Sequence, residues 1–173
     1  MTVRLRALDS SPPGDDLDLL AVGALHQRSR ATAYAQILSA GTLTRRPAEA
    51  FGEWWRERWR WERETHRLTV AERHGELVGF TYVGPSRTHG AVELYGIHVD
   101  PRLVGTGVGR RLMDNALTQL AEMGGERAVL WVLEANERAR RFYARGGWCE
   151  DGATRVEPVD DEPVRQLRYS RPL

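Results

Sequence analysis

Residues 104–111 read VGTGVGRR: three glycines within five residues, then two arginines, then an amphipathic run to Leu117. Glycines at that density allow a tight turn whose backbone N–H groups come close to a ligand. A helix starting there offers its first unpaired N–H groups, and the positive end of its dipole, to an anion. Two nucleotide-binding patterns with this chemistry are excluded. A P-loop requires GxxxxGK[ST], but all 25 basic residues are arginine and there is no lysine. A dinucleotide fingerprint requires GxGxxG soon after the first strand, whereas here Gly105, Gly107 and Gly109 alternate and Arg110 follows. An anion cradle survives, beside the plainer reading of a glycine turn before a helix. The missing lysine also removes Schiff-base and lysine general-base chemistry.

The elements around the loop follow from hydrophobic period. Val3 to Leu8 alternates apolar residues with arginine and predicts a strand, which the serine, proline and glycine of residues 9–16 break. Helical spacing from Leu17 to Leu25 predicts a first helix, with Asp15, Asp16 and Asp18 at the N-terminal end that favours acids. A second helix is expected after TRRP, capped by Thr44 or a neighbour, with Pro47 in its first turn. It carries Phe51, Trp55 and Trp59 at i, i+4 and i+8, plus Trp54 and Trp61 seven apart. That stripe is expected to pack on a sheet; the competing reading has one or two of the rings lining a substrate cleft. HRLTVAE and LVGFTYVG read as a hairpin turning at Gly75, and AVELYGIHV, Ala91 to Val99, as a central strand apolar on both faces. Val108, Leu112, Ala116 and Leu120 mark a helix stopped by Gly124 and Gly125. RAVLWVL is a buried strand, and Asn136 caps a short helix ending at Gly146 and Gly147. Two more strands close the chain around EPVDDEP. The order is strand, two helices, three strands, helix, strand, helix, two strands: one α/β (α+β) domain over residues 1–173 with a mixed sheet.

Composition narrows the partners. At 173 residues and 41% hydrophobic content the chain suits one domain, and a net charge of +1 with no uniformly basic segment supports neither a nucleic-acid groove nor a polybasic membrane tether. No run approaches the ~18 apolar residues of a membrane span, and the N-terminus lacks a signal-peptide core. Cys149 is the single cysteine, without a partner for a disulfide or a metal, so no metal is expected and a reducing, cytoplasmic setting is. Cys149 itself is expected to be a small buried residue. Arginine without lysine, alongside much Ala, Gly, Val, Leu and Pro, suggests a G+C-rich genome.

The stretch VDPRLVGTGVGR, Val99 to Arg110, resembles the acyl-CoA pyrophosphate loop of the GNAT-type N-acetyltransferases, [QR]xxGx[GA] preceded by V-x-P. NERARRFYARGGW, Asn136 to Trp148, resembles the next motif of the same superfamily, with asparagine opening a short helix and tyrosine near its end. Both motifs stand in the expected slots, and the resemblance is close from Leu68 to Trp148. AYAQIL followed by EAFGEWWRERW is similar to a common bacterial branch. The resemblance implies the GNAT fold: a mixed sheet of about seven strands, splayed like a V between two central parallel strands and flanked by about four helices. It implies acetyl-CoA as co-substrate, cradled by Val104, Gly105, Thr106, Gly107, Val108, Gly109 and Arg110, with backbone groups of Ile97, His98 and Val99 and the side chains of Asn136 and Tyr143 along the pantetheine arm. Val104 stands where the family often has Gln or Arg, and Thr106 where a basic residue is frequent. The cradle therefore relies on backbone N–H groups, with Arg110 and Arg111 supplying charge or simply facing solvent.

The implied chemistry is direct acetyl transfer from the thioester to a primary amine. An alkylammonium of pKa ~10.4 must lose a proton first. Glu93, on the central strand, is the candidate base, expected by alternation to face the same side as Tyr95 and Ile97. An ordinary Glu of pKa ~4.3 is a weak base toward ammonium, so a raised pKa or a relaying water is needed. Tyr143 resembles the family's general acid, protonating the departing thiolate. His98 is expected on the opposite face from Glu93 unless a bulge re-aims it, and is read as structural or cofactor-side. A backbone N–H near Val99 could steady the carbonyl oxygen.

Glu157, Asp160, Asp161 and Glu162 of EPVDDEP fall where the family often walls its acceptor. They would favour a small cationic amine unless they only form a solvated loop. A protein N-terminal or lysine acetyltransferase, or an acyl-CoA-binding regulator without catalysis, are the alternatives. Dimers are common in the family, so a homodimer is compatible with the resemblance.

Overall fold

The computed structural model describes residues 3–8 and 15–173. The expected break after the first strand falls largely outside them. The alternation at the N-terminus becomes β1, Arg4–Ala7, and the first helical run becomes α1, Asp15–Ala33. A short helix, α2, Ala40–Arg45, precedes α3, Ala48–Glu62. Then come β2, Arg67–Arg73, β3, Glu76–Pro85, and β4, Ala91–Val99. A 3-10 turn at Pro101–Leu103 leads into α4, Val108–Glu122, followed by β5, Arg127–Leu133, α5, Glu137–Arg145, β6, Cys149–Val159, and β7, Glu162–Pro172.

All seven strands lie in one sheet in the order β1-β2-β3-β4-β5-β7-β6. Every neighbouring pair is antiparallel except β4 and β5, which run parallel. That parallel pairing is brief: Ala91, Val92 and Glu93 pair with Arg127, Ala128 and Val129, and there it stops, although both strands continue. The expected V-shaped splay is thus present, with Glu93 and Val129 at its apex. Among the described residues there are five α-helices rather than about four. The extra one, α2, is a six-residue turn capped by Ser39, whose hydroxyl accepts from the N–H of Thr42; it is too short to show a helical period in sequence.

Each face of the sheet is covered by its own apolar cluster. On one, Leu19, Val22 and Leu25 of α1 and Trp55 and Trp59 of α3 meet Leu68, Val70, Phe80 and Tyr82. On the other, Met113, Ala116 and Leu120 of α4 meet Val83, Leu94, Leu130, Val132 and Trp148. The aromatic stripe of α3 therefore packs on the sheet, with Phe51, Trp55 and Trp59 buried, while Trp61 remains 75% exposed on the outer side.

Two expectations change near the C-terminus. EPVDDEP is mostly strand, because Val159 pairs with Glu162 and only Asp160 and Asp161 turn, Asp160 taking a left-handed φ of 56°. Cys149 is exposed, not buried. It opens β6, which lies at the edge of the sheet and has little covering it.

Helices α1 and α3 cross where glycine meets glycine. A Cβ at position 23 would lie 2.5 Å from the Cα of Gly52, closer than any real Cβ contact, and the obstacle is backbone that cannot swing aside. Gly23→Ala is expected to force the helices apart and cost about 1–3 kcal/mol, the usual scale of overpacking. Urea unfolding reads this as a lower midpoint; an unchanged midpoint would show that the crossing can yield.

Candidate active site

Glu93 is placed by an irregularity in β4. The β3–β4 register runs Phe80 to His98, Thr81 to Ile97 and Tyr82 to Gly96, then shifts to Val83 with Leu94 and Gly84 with Glu93. Tyr95 is the extra residue of a β-bulge, which breaks the period-2 alternation. Ile97 and Val99 pack toward α4, with Leu103 and Leu112. His98 lies on the opposite face, stacked on Phe80 at 4.9 Å and 4.4 Å from the ring of His26. Leu94 belongs to the α4-side core, so Glu93 points to the α1 and α3 side. The expected alternation holds for Tyr95 and fails beyond it: Glu93 shares its face with Tyr95 and His98, and not with Ile97. The bulge is the cause.

The Glu93 side chain is buried, with the residue 8% exposed, and its Oε2 accepts from the Ser86 hydroxyl at 2.8 Å. Burial raises its pKa above the ordinary carboxylate value; the Ser86 hydrogen bond, then Arg155, Arg58 and Arg87, oppose that rise without cancelling it. Across the splay, Trp131 of β5 faces the same side, since Ala128, Leu130 and Val132 are taken by the α4-side core. Its ring lies under the guanidinium of Arg155, 4.2 Å from the centroid. No sequence signal marks Trp131 or Arg155, because their meeting depends on β7 lying between β5 and β6.

His98 is neutral near pH 7, with its pKa pushed down to about 4 by burial, and its Nδ1 lies 3.2 Å from the Ser29 hydroxyl. Its ring contacts with Phe80 and His26 make it part of the buried packing of that face. A second carboxylate was missed entirely. Glu62, the last residue of α3, accepts from the Tyr82 hydroxyl at 2.6 Å and from Arg58 Nε at 2.7 Å. Those hydrogen bonds overcome its desolvation and hold its pKa low, so it is a fixed anion rather than a base. Arg58 is also held over the rings of Tyr82 and Tyr95, at 4.7 and 5.2 Å.

At the open end of the V the glycine loop leaves β4. Gly105 and Gly107 take φ values of 84° and 93°, and a Cβ at either would meet nothing within 4 Å. Only glycine adopts these conformations without strain. Gly107 caps α4, whose first ladder bond runs from the Arg111 N–H to the Gly107 carbonyl. The N–H groups of Val108, Gly109 and Arg110 therefore have no partner within the helix. Arg110 and Arg111 are exposed and form no ion pair among the described residues. Val104 is exposed, and the Thr106 hydroxyl is turned back on the Leu103 carbonyl at 2.6 Å.

Asp100 anchors the start of this loop. Its carboxylate, 1% exposed, accepts from the N–H and Nε of Arg102 at 3.0 and 2.9 Å and from Arg102 Nη2 at 3.0 Å, with Arg28 at 3.4 Å. The hydrogen bonds from Arg102 hold its pKa at about 2. Asp100 caps the 3-10 turn with Pro101 at its first positions, a pattern that fits such a start.

On α5, Asn136 caps the helix by accepting from the Ala139 N–H at 3.2 Å, leaving its side-chain amide N–H groups as donors. Tyr143 packs beside Phe142, Trp148 and Tyr169, and burial raises its pKa, so its phenol stays protonated. Tyr34, in the turn after α1, stands within electrostatic reach of that phenol. Among the described residues no group of three or more His, Cys, Asp or Glu is placed to hold a metal, and no helix is long and apolar enough to cross a membrane.

The acidic residues of the β6–β7 tip do not face an open cleft. Asp160 binds Arg30 at 2.5 Å and Arg46 at 3.0 Å. Asp161 pairs with Arg45, and Glu162 accepts from the N–H of Ser39 and the hydroxyl of Thr42. They bolt the hairpin to α1 and α2.

A sheet splayed at its parallel pair, with a glycine turn and helix at the open end, belongs to a known group: residues 32–148 match the Acetyltransferase (GNAT) family. The chain belongs to that family. It is similar to the mycothiol acetyltransferase of Propionibacterium freudenreichii subsp. shermanii, 36% identical over 106 residues, covering 60% of this chain and 34% of that protein. An uncharacterized N-acetyltransferase of Archaeoglobus fulgidus is 36% identical over 92 residues, 50% of this chain and 63% of that one. The chain thus spans about a third of the first relative and under two thirds of the second. In fold it resembles the paia N-acetyltransferase of Thermoplasma acidophilum, solved in complex with coenzyme A, with a TM-score of 0.75 and 19% identity over the whole of both chains.

Asp100→Asn is expected to loosen the loop anchor and cost about 1.5–3 kcal/mol at pH 7, the scale of a hydrogen bond to a charged group. The folded pKa of Asp100 lies below its unfolded value, so its contribution is present above pH 3.8 and lost as pH falls toward 2. Urea unfolding across that window should show a gap between wild type and variant that closes as the pH drops. A gap independent of pH would contradict the assignment.

Proposed function

We propose that the chain is a single-domain, cytoplasmic N-acetyltransferase that moves an acetyl group directly from acetyl-CoA to a primary amine of a small molecule. The observation that carries this reading is the position of Glu93, a buried carboxylate of raised pKa at the apex of the splay, where the two strands stop pairing. The glycine loop fits the pyrophosphate of the co-substrate. It offers the free N–H groups of Val108, Gly109 and Arg110, two left-handed glycines with open space beside them, and the unpaired charges of Arg110 and Arg111. The edge of β4 beyond Glu93 has no β5 partner, so backbone groups of Ile97, His98 and Val99 are available to the pantetheine arm, with Asn136 beyond. When bound, acetyl-CoA supplies the activated acetyl group.

The protein's own groups manage the protons. Glu93 takes one from the ammonium, and its raised pKa narrows the gap to an amine of pKa ~10.4. Nitrogen then bonds to the acetyl carbon as the carbon–sulfur bond breaks; the Tyr143 phenol gives the sulfur a proton, and the proton shed by the acylated nitrogen restores the phenol. A backbone N–H near Val99 steadies the carbonyl oxygen. No acyl-enzyme is needed, and Cys149, exposed at the start of the edge strand, has no part in the scheme.

The hairpin clamp supports a small acceptor, because the β6–β7 tip tied to α1 and α2 walls the Glu93 face instead of leaving an open groove. A cationic acceptor loses the support that the acidic run had offered. Asp160, Asp161 and Glu162 are occupied within the protein, and Glu157 alone of the four has neither an ion pair nor a side-chain hydrogen bond among the described residues.

Glu93→Gln is expected to lower kcat about a hundredfold and to remove the acid limb from its pH profile. Because the folded pKa of Glu93 lies above the unfolded one, its contribution to stability is full below pH ~4.3 and is lost as pH rises through the folded value. The Tm of Glu93→Gln should therefore overtake wild type as pH rises. Unchanged turnover at all pH values would remove Glu93 from the base role. Tyr143→Phe should release free thiol about a hundredfold more slowly while still binding CoA; release as fast as wild type would remove the tyrosine from the acid role.

A further inference from the structure

The face that carries Glu93 also holds two arginines that form no ion pair among the described residues, Arg155 and Arg87. On β7 the residues alternate, with Leu167 and Tyr169 buried in the α4-side core and Gln166 and Arg168 on the Glu93 side, half-buried. Arg155 of β6 pairs in register with Gln166 and shares that side. Most guanidiniums nearby are neutralised: Arg58 by Glu62 at 2.7 Å, and Arg168 by Asp151 at 2.8 Å. Arg155 is not. Its Nε and Nη2 both donate to the neutral Gln166 Oε1, at 3.0 and 2.8 Å, and its plane is fixed over Trp131. Glu157 and Glu93 attract it from a distance, and neither forms an ion pair with it.

Arg87 is the second member. It sits in the β3–β4 connection between Ser86, which holds Glu93, and Thr88, whose N–H donates to the Ser86 hydroxyl. It is exposed and makes no hydrogen bond or ion pair among the described residues. Arg87 acts electrostatically on both Glu93 and Arg155. Two like charges thus lie within reach of one another, flanking the candidate base. Their repulsion is offset by no paired carboxylate among the described residues. A planar, always-charged fork aligned by a neutral amide and a ring is suited to a carboxylate.

We propose that the acceptor is a small amine that also carries a carboxylate, of the amino-acid class, with its amine at Glu93 and its carboxylate between Arg87 and Arg155. This rests on the acetyl-transfer reading above and specifies the acceptor for that site. Trp131 supports Arg155 from below and is a positioning residue.

The test is a panel of amino acids of differing chain length, each beside its own carboxamide, with acetyl-CoA and free-thiol release as the readout. In the best pair the acid should exceed its carboxamide in kcat/KM by about tenfold or more, chiefly through KM. Arg87→Gln and Arg155→Gln should each bring that ratio down toward one. Arg87→Gln removes no contact within the protein, so its folding is not at issue. Carboxamides that match or exceed the acids in every pair, with turnover intact, would overturn this inference and leave acetyl transfer standing. Absence of thiol release with every amine, by protein that still binds CoA, would overturn acetyl transfer and this inference with it.

Discussion

Two neighbouring strands that run parallel must either keep their ladder or leave backbone groups without partners. Here β4 and β5 pair for three residues and then part. The wedge could not be filled by either strand's own backbone, because β4 stays paired with β3 to Val99 and β5 with β7 to Leu133. Each strand is held on its outer edge and free on its inner one. The unpaired edge of β4 runs on in sequence into the loop and the unused N–H groups that open α4, a set of donors and acceptors that a linear molecule with amides and a pyrophosphate would meet.

The bulge at Tyr95 supplies the other half of the site. Without it, Glu93 and His98 would lie on opposite faces and the carboxylate would share its side with Ile97. With it, the α4 side beyond the apex stays apolar, and the α1 and α3 side collects Glu93, Tyr95, Trp131 and the arginines. The apolar and the charged surfaces are thereby separated across one sheet and meet at the apex. The far wall depends on the Asp160 clamp, in which Arg30 and Arg46 also lie over the ring of Phe51 at 5.5 and 5.3 Å. A paired carboxylate and a shared aromatic face keep that hairpin tip against α1 without an apolar core of its own.

Much of the fold was legible because it rests on local signals. Periodicity revealed the strands and the longer helices, glycines marked their ends, and two motifs in order pointed to the family. The candidate site was legible where one segment builds it: the turn of residues 105–110 opens α4 as its glycines suggested, and Glu93 lies on β4 where the sequence put it. What was hidden depends on non-local pairing. A bulge is invisible until the partner strand is known, so alternation misplaced His98 and Ile97. The acidic run looked like a cation site because nothing in sequence says that Arg30, Arg45 and Arg46 reach it across more than a hundred residues. Trp131, Arg155 and Glu62 meet their partners only through strand order or the end of a helix.

If the open edge of β4 and the glycine loop together form one co-substrate site, a single ligand must protect both. Amide hydrogen exchange with and without CoA measures this. CoA is expected to slow exchange in the segments spanning residues 95–99 and 105–110, with β1 and the β6 edge unchanged. Tight CoA binding without protection in either segment would contradict a shared site.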